Sequence, residues 1–186
     1  MAGITLRQAT TIVETALQKG RETGCAPLAV AVLDAGGHLK AFAREDGAGI
    51  LRPQIALGKA WGALGMGVGS RAFAKRLADN PQQHSFFTAL NAMSDGRVVP
   101  VPGGVLVRDA ADAVIGAVGI SGDVSDTIGR IVSGNPAGNP ALNVGGLPPS
   151  PPPPAPQPNR LMLVNTTAKT IPAKRLNGVF PPFDIR

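Results

Sequence analysis

Residues 27–44 read PLAVAVLDAGGHLKAFAR, and the way this stretch divides decides the fold. Pro27 to Asp34 is a run of small and β-branched apolar residues, His38 to Arg44 is a second run, and Ala35-Gly36-Gly37 lies between them. A glycine pair joining two such runs predicts a β-hairpin, because tight hairpin turns need positive φ at their central positions. A second hairpin is expected further on. There Val98 to Arg108 is followed by Asp109-Ala-Ala-Asp112 and then by Ala113 to Gly122. Its last strand is apolar on both faces, as in a sheet covered by helices on both sides or buried at a subunit interface.

Helical spacing fills the chain around these hairpins. Thr5 and Gln8 form a capping-box pattern, and Leu6, Ala9, Val13, Ala16 and Leu17 recur on one helical face, with a stop expected near Gly20 or Gly24. Residues 52–65, RPQIALGKAWGALG, place Pro53 in a first turn and Ile55, Ala56, Lys59, Ala60 and Ala63 at spacings of three and four. Gly58 and Gly62 disfavour a free-standing helix there and predict close backbone packing. Ser70 is expected to cap a short helix, and Pro81 to open another that carries Phe86, Phe87, Leu90 and Met93. The expected class is α+β, an antiparallel sheet flanked by helices, with a Pro-rich C-terminal extension.

Composition agrees with one globular unit and an appendage. Of 186 residues, 24 are Gly and 18 Pro, and the prolines crowd between Pro148 and Pro158. The division reads as a domain over 1–134, a Gly/Pro-rich linker over 135–158 and a tail over 159–186. Within it, residues 148–158, PPSPPPPAPQP, should adopt polyproline II. Residues 161–167 could add an edge strand and 179–183 an apolar anchor, docked on the same or a neighbouring subunit. The formal net charge of +6 is uneven, since thirteen basic and eleven acidic residues precede Pro148 while five and one follow. Six Phe, one Trp and no Tyr give no aromatic stripe interleaved with basic residues, so nucleic acid is not an expected partner. Arg7, Glu14 and Lys19 interrupt the N-terminal segment, which fits neither a signal peptide nor a membrane span, so a cytoplasmic location and no membrane partner are expected. Cys25 is the sole cysteine; it excludes an intramolecular disulfide and a thiolate-rich zinc site, and reads as a small buried thiol sooner than a nucleophile.

Candidate chemistry gathers in a few places. Lys59 lies on an apolar helical stripe, where it must snorkel, pair with an acid such as Asp46 or Asp123, or line a cavity. So placed, it can clamp a carboxylate or act as a base. Arg44 and Asp46 end the first hairpin. Gly103, Gly104 and Ser121-Gly-Asp123 mark corners that are either tight turns or backbone nests for an anion. His38 and His84 are too few for a multi-His metal site, though a haem axial ligand needs only one. No metal ion is expected.

The stretches VAVLDAGGHLKAFAREDGA, IALGKAWGALGMG with Arg71 shortly after, VPVPGGVLVRD and VIGAVGISGDVSD stand in order over residues 30–126. Together they resemble the GlcG/HbpS family, which includes the domain at the end of the PduO adenosyltransferases. The resemblance implies a profilin-like fold and self-association, from dimers to octamers. It also implies haem binding in some members, linked to haem handling or redox sensing, and unsettled activities in others. On that analogy a pocket lies between the strand end at Arg44 and Asp46, the Lys59 helix, the Pro102-Gly-Gly104 turn and the Ser121 to Asp123 loop. Family members continue into a closing acidic helix; here Asp123 and Asp126 match its start, and the chain then turns to TIGRIVSGNPAGNPALN.

The leading expectation is therefore a small anionic organic molecule held by Arg44, Lys59, the N–H groups of Gly103 and Gly104, Ser121 and Asp126. Were it an enzyme, cofactor-independent acid–base chemistry through Lys59, Asp46 and Asp123 would be its class, with no cofactor needed. One alternative is a haem-binding protein with His84 or His38 as ligand; another is a scaffold recognised through its Pro-rich segment.

Overall fold

The computed structural model describes residues 3–124 and 141–143, which fall within one compact unit, Met1–Ser150. Helix α1 (Leu6–Glu22) starts at the expected cap. Gln8 N–H donates to Thr5 Oγ1 at 3.2 Å, and Thr5 N–H donates back to Gln8 Oε1 at 2.9 Å. Ala9, Ile12, Val13, Ala16 and Gly20 form its buried face, whereas Leu6, in the first turn, is 60% exposed. The stripe thus begins one turn later than the spacing predicts.

Strands β1 (Ala29–Asp34) and β2 (Leu39–Arg44) form the first hairpin, with Ala29 opposite Arg44. Only Gly37 of the glycine pair has positive φ, at 81°. The turn is tied instead by Asp34, whose Oδ1 accepts from Gly36 and His38 N–H at 2.9 and 3.0 Å.

Helix α2 (Arg52–Met66) follows, ending at Gly67 in the left-handed conformation, then α3 (Ser70–Asp79) and α4 (Gln83–Met93). Gly69 occupies the α3 cap position that Ser70 was expected to fill; the Ser70 hydroxyl is turned to the sheet. Phe73 of α3 and Phe87 of α4 pack with ring centroids 5.9 Å apart.

The second hairpin is β3 (Gly104–Arg108) and β4 (Val114–Ser121). Strand β3 begins later than the Val98 start predicted, because Pro100 and Pro102 have no N–H for a ladder. A short β5 (Ala141–Asn143), unforeseen in the sequence, pairs in parallel with β3. The sheet order is β2-β1-β4-β3-β5, antiparallel through its first four strands. Apart from β5, which falls within the stretch read as linker, the linker, the tail segments and Asp126 lie outside the described residues.

Both faces of the central strands are covered by the chain's own helices. Toward α1 the sheet presents Val30, Val32, Val105, Val107, Val118 and Ile120. Toward α2 the contacts are small: Ala56, Ala60 and Ala63 meet Ala29, Ala31, Leu33, Leu106 and Ala117. Gly104 and Gly119 face each other in the β3–β4 register. A Cβ on Gly119 would strike the Ala56 carbonyl, and one on Gly104 the Lys59 carbonyl. This notch lets the α2 backbone lie directly on the sheet.

Candidate functional site

The notch fixes where Lys59 points. Its side chain is only 2% exposed, and Nζ donates to the Ile120 carbonyl at 2.9 Å. Arg52 stands seven residues earlier, two turns up the same face. Its Nη1 reaches the fully buried Ser121 Oγ at 3.4 Å. Burial first, and the neighbouring Arg52 charge second, lower the Lys59 pKa from 10.5 to about 8. At neutral pH Lys59 is still mostly a cation.

Neither acid expected to answer Lys59 does so. Asp46 is exposed and makes no ion pair with it. Asp123 serves the loop backbone, its Oδ2 accepting from Ala26 N–H at 2.7 Å and Oδ1 from Val124 N–H at 2.6 Å. Those two bonds, with a smaller share from Arg52 and Cys25, hold its carboxyl below the usual range.

The glycine corners are also otherwise committed. Gly104 N–H donates to Ser70 Oγ at 2.7 Å, which explains the inward turn of that hydroxyl. Gly103, at φ 123°, offers its carbonyl to Ile120 N–H at 2.8 Å. The corner is structural, and a nest made from the Gly104 N–H is not available to a ligand.

Arg44 stands apart from Lys59 but in line with Ser121. Ala29 pairs with Arg44 on one side and Ser121 on the other, so the three share a row and a face about 10 Å long. The exposed Arg44 side chain opens onto a polar hollow of about 540 Å³ shared with Arg21, Cys25, Glu45 and Asp46. Glu45 is occupied there, accepting from Arg21 and from Leu28 N–H at 2.8 Å each. The structure thus gathers Lys59, Gly104 and Ser121, adds Arg52 and Ser70, and leaves Asp46 and Arg44 on the outer side of β2. Arg52 was missed in the sequence, although its seven-residue spacing from Lys59 on a helix was the signal.

The histidines differ. His38 is 82% exposed at the hairpin tip, its Nδ1 3.3 Å from Asp34 Oδ1. His84 lines an open hollow of about 520 Å³ with Leu77, Phe87, Thr88, Val98 and Pro100. Among the described residues no three His, Cys, Asp or Glu side chains group as a metal site, and no helix is long and apolar enough to cross a membrane.

A family model described as "Haem degrading protein HbpS-like" matches residues 4–128. The chain belongs to the HbpS-like family. No curated protein matches it. Among solved structures, the fold of this HbpS-like chain is shared with a PduOC–haem complex at TM-score 0.62 and 22% identity, covering 70% of this chain and 90% of that one. It is shared also with the ORFY protein of Klebsiella pneumoniae at 0.62 and 26%, covering 70% and 87%. A double mutant of HbpS from Streptomyces reticuli superposes at 0.58 and 26%, covering 70% and 83%. The profilin-like α+β expectation and the family resemblance both hold.

Proposed function

We propose that this HbpS-like chain binds a small organic anion where Lys59, Arg52 and Ser121 converge. The observation that carries the reading is an excess of donors over acceptors. Lys59 has three N–H donors and Arg52 five, and each makes a single hydrogen bond among the described residues. Among the described residues no carboxylate forms an ion pair with either, and Asp123, the one acid whose charge Arg52 influences, spends its oxygens on the Ala26 and Val124 N–H groups. A ligand carboxylate supplies the missing negative charge, and Ser121 Oγ adds a neutral polar group beside it. Proton transfer at this site would fall to Lys59 alone, since Asp46 and Asp123 are placed elsewhere.

Calorimetric titration with acetate, oxalate and citrate tests this. Saturable binding is expected to weaken at least tenfold in Lys59→Met and in Arg52→Gln, and to fade as pH rises through about 8. Unchanged affinity in both variants overturns the site, and Arg52→Gln keeps the test decisive should Lys59→Met fold poorly.

A second reading rests on His84. Haem bound to this family's relatives needs an axial ligand and apolar walls. The hollow beside His84 provides one imidazole with Leu77, Phe87, Val98 and Pro100, and these residues fit the group. His84 would hold the iron, and the haem would supply redox or oxygen chemistry. His38, exposed and tied to Asp34, has no such wall. A Soret shift on adding haem, lost in His84→Ala and kept in His38→Ala, is the expected outcome. Self-association, also carried by the family, would use the open β2 edge, where Leu39 and Phe42 are 54% and 40% exposed.

A further inference from the structure

A separate cavity of about 470 Å³ lies on another side of α2, between that helix, the first hairpin turn and the α4–β3 connection. Trp61 and Lys59 are two residues apart on the helix, hence about 200° apart around its axis. The cavity shares no residue with the Lys59, Arg52 and Ser121 cluster. Its floor is apolar, built from Leu33, Leu39 and Leu57.

Two groups on its wall make it more than a gap. The Arg97 guanidinium sits over the Trp61 ring, 4.6 Å from the centroid. Its Nε donates to the Ser94 carbonyl at 3.1 Å, which fixes the orientation and leaves both terminal nitrogens without a protein acceptor among the described residues. The Trp61 indole N–H likewise has no acceptor there, and it lies against Gly37, where a Cβ would be 3.3 Å from Nε1. Gly37 has φ 81° and carries no side chain, so the approach to that N–H stays open. A half-buried indole normally finds a partner for its N–H. Asp95 is on the same rim and forms no ion pair with Arg97, so the positive charge is not neutralised from within.

We infer that this cavity binds a flat, apolar carboxylate: its ring against the leucines and Trp61, its carboxylate on the Arg97 terminal nitrogens and the indole N–H. An aliphatic dicarboxylate suits it less well, because a second charged end would lie against the apolar side chains of Leu33 and Leu57, with no second cation among the lining residues to answer it. A neutral aromatic of the same shape fills the floor and leaves the guanidinium unanswered. Specificity for the acid thus comes from Arg97, and for the ring from the leucines and Trp61.

Trp61 is the chain's one tryptophan, so a nitrogen-15 labelled sample gives a single indole N–H resonance that reports on this cavity. The full chain is titrated with 2-naphthoate and with 2-naphthalenemethanol. The indole signal should shift saturably with both, with the acid half-saturating at about tenfold lower concentration. In Arg97→Gln, an exposed position whose change leaves the core intact, that preference should vanish while the alcohol's affinity stays the same. An indole signal that does not move with naphthoate overturns the proposal. Equal half-saturation by acid and alcohol in the unaltered chain does so too, as does an acid preference that survives in Arg97→Gln.

Discussion

Helices α1 and α2 cover opposite faces of one sheet, yet they are held there by different means. Helix α1 carries its own instructions: a capping box at Thr5 and Gln8, Ile4 ahead of it buried to form the apolar lead-in, and a face of Ile12 and Val13 against branched aliphatic residues. Helix α2 has no side-chain cap, and its buried face is alanine, glycine and one lysine. It is positioned by the Gly104–Gly119 notch, through contacts between backbones. A helix placed by side-chain volume tolerates small adjustments, whereas one seated on bare backbone does not. The rigid seat is the one that carries Lys59, Arg52 and Trp61.

The largest test of that contrast is Gly119→Ala. The new methyl group would strike the Ala56 carbonyl and approach Ala60 N to 2.8 Å, and neither can yield without lifting α2. A loss of about 3 kcal/mol or more is expected, at the top of the range for overpacking. It should appear in urea melts together with increased exposure of Trp61. Ile12→Ala on α1 should be milder. It deletes buried aliphatic volume from the cluster that also holds Val30 and Val118, but alanine is the better helix former, so about 2 kcal/mol is expected from the same melts. If Ile12→Ala proves the more damaging of the two, the notch is not what seats α2.

The next effect is set by Lys59. Its pKa is about 8 when folded against an ordinary lysine value of 10.5, so between these pH values the unfolded chain binds more protons than the folded one. Stability therefore rises with pH across that window, on the order of 2 kcal/mol from pH 7 to pH 10. Lys59→Met should remove this rise and leave the remaining pH profile in place. A pH profile that is identical in the variant would show that the Lys59 ammonium is not desolvated.

What the sequence made legible follows the same division. Much of what local pattern governs was readable: the α1 cap, the hairpin at Gly36-Gly37, the small-residue helix and its need for close packing. Features decided by distant backbone were not. That Lys59 would turn to the Ile120 carbonyl depends on register between α2 and β4, sixty-one residues away, and an acid partner is the more general expectation for a buried lysine. Ser70 reads as a cap because serine favours that position, yet the fold presents it to Gly104 N–H, 34 residues on. Asp123 reads as a site carboxylate, and its oxygens are used instead by the N–H groups of Ala26 and Val124. Trp61 and Arg97 belong to different elements, and nothing in their spacing announces the stack.

The smallest expected effect concerns the start of α1. Thr5→Ala removes the oxygen that accepts Gln8 N–H and leaves that donor to water, while Gln8 Oε1 retains its bond from Thr5 N–H. Half of the reciprocal cap is lost, and about 1 kcal/mol of stability with it. Because α1 is also fixed by Ile4, Ala9 and Ile12 in the core beneath it, fraying should stop at the first turn. Amide exchange should therefore quicken at Gln8 and Ala9, the first bonded amides of the helix, and stay slow at Val13 and Ala16. Helix α2 has no such side-chain cap to remove, so the equivalent change there, Leu51→Ala at an exposed position, should leave exchange along Arg52–Met66 unaltered. Rapid exchange through the whole of α1 in Thr5→Ala would mean that the cap, and not the aliphatic face, holds this helix on the sheet.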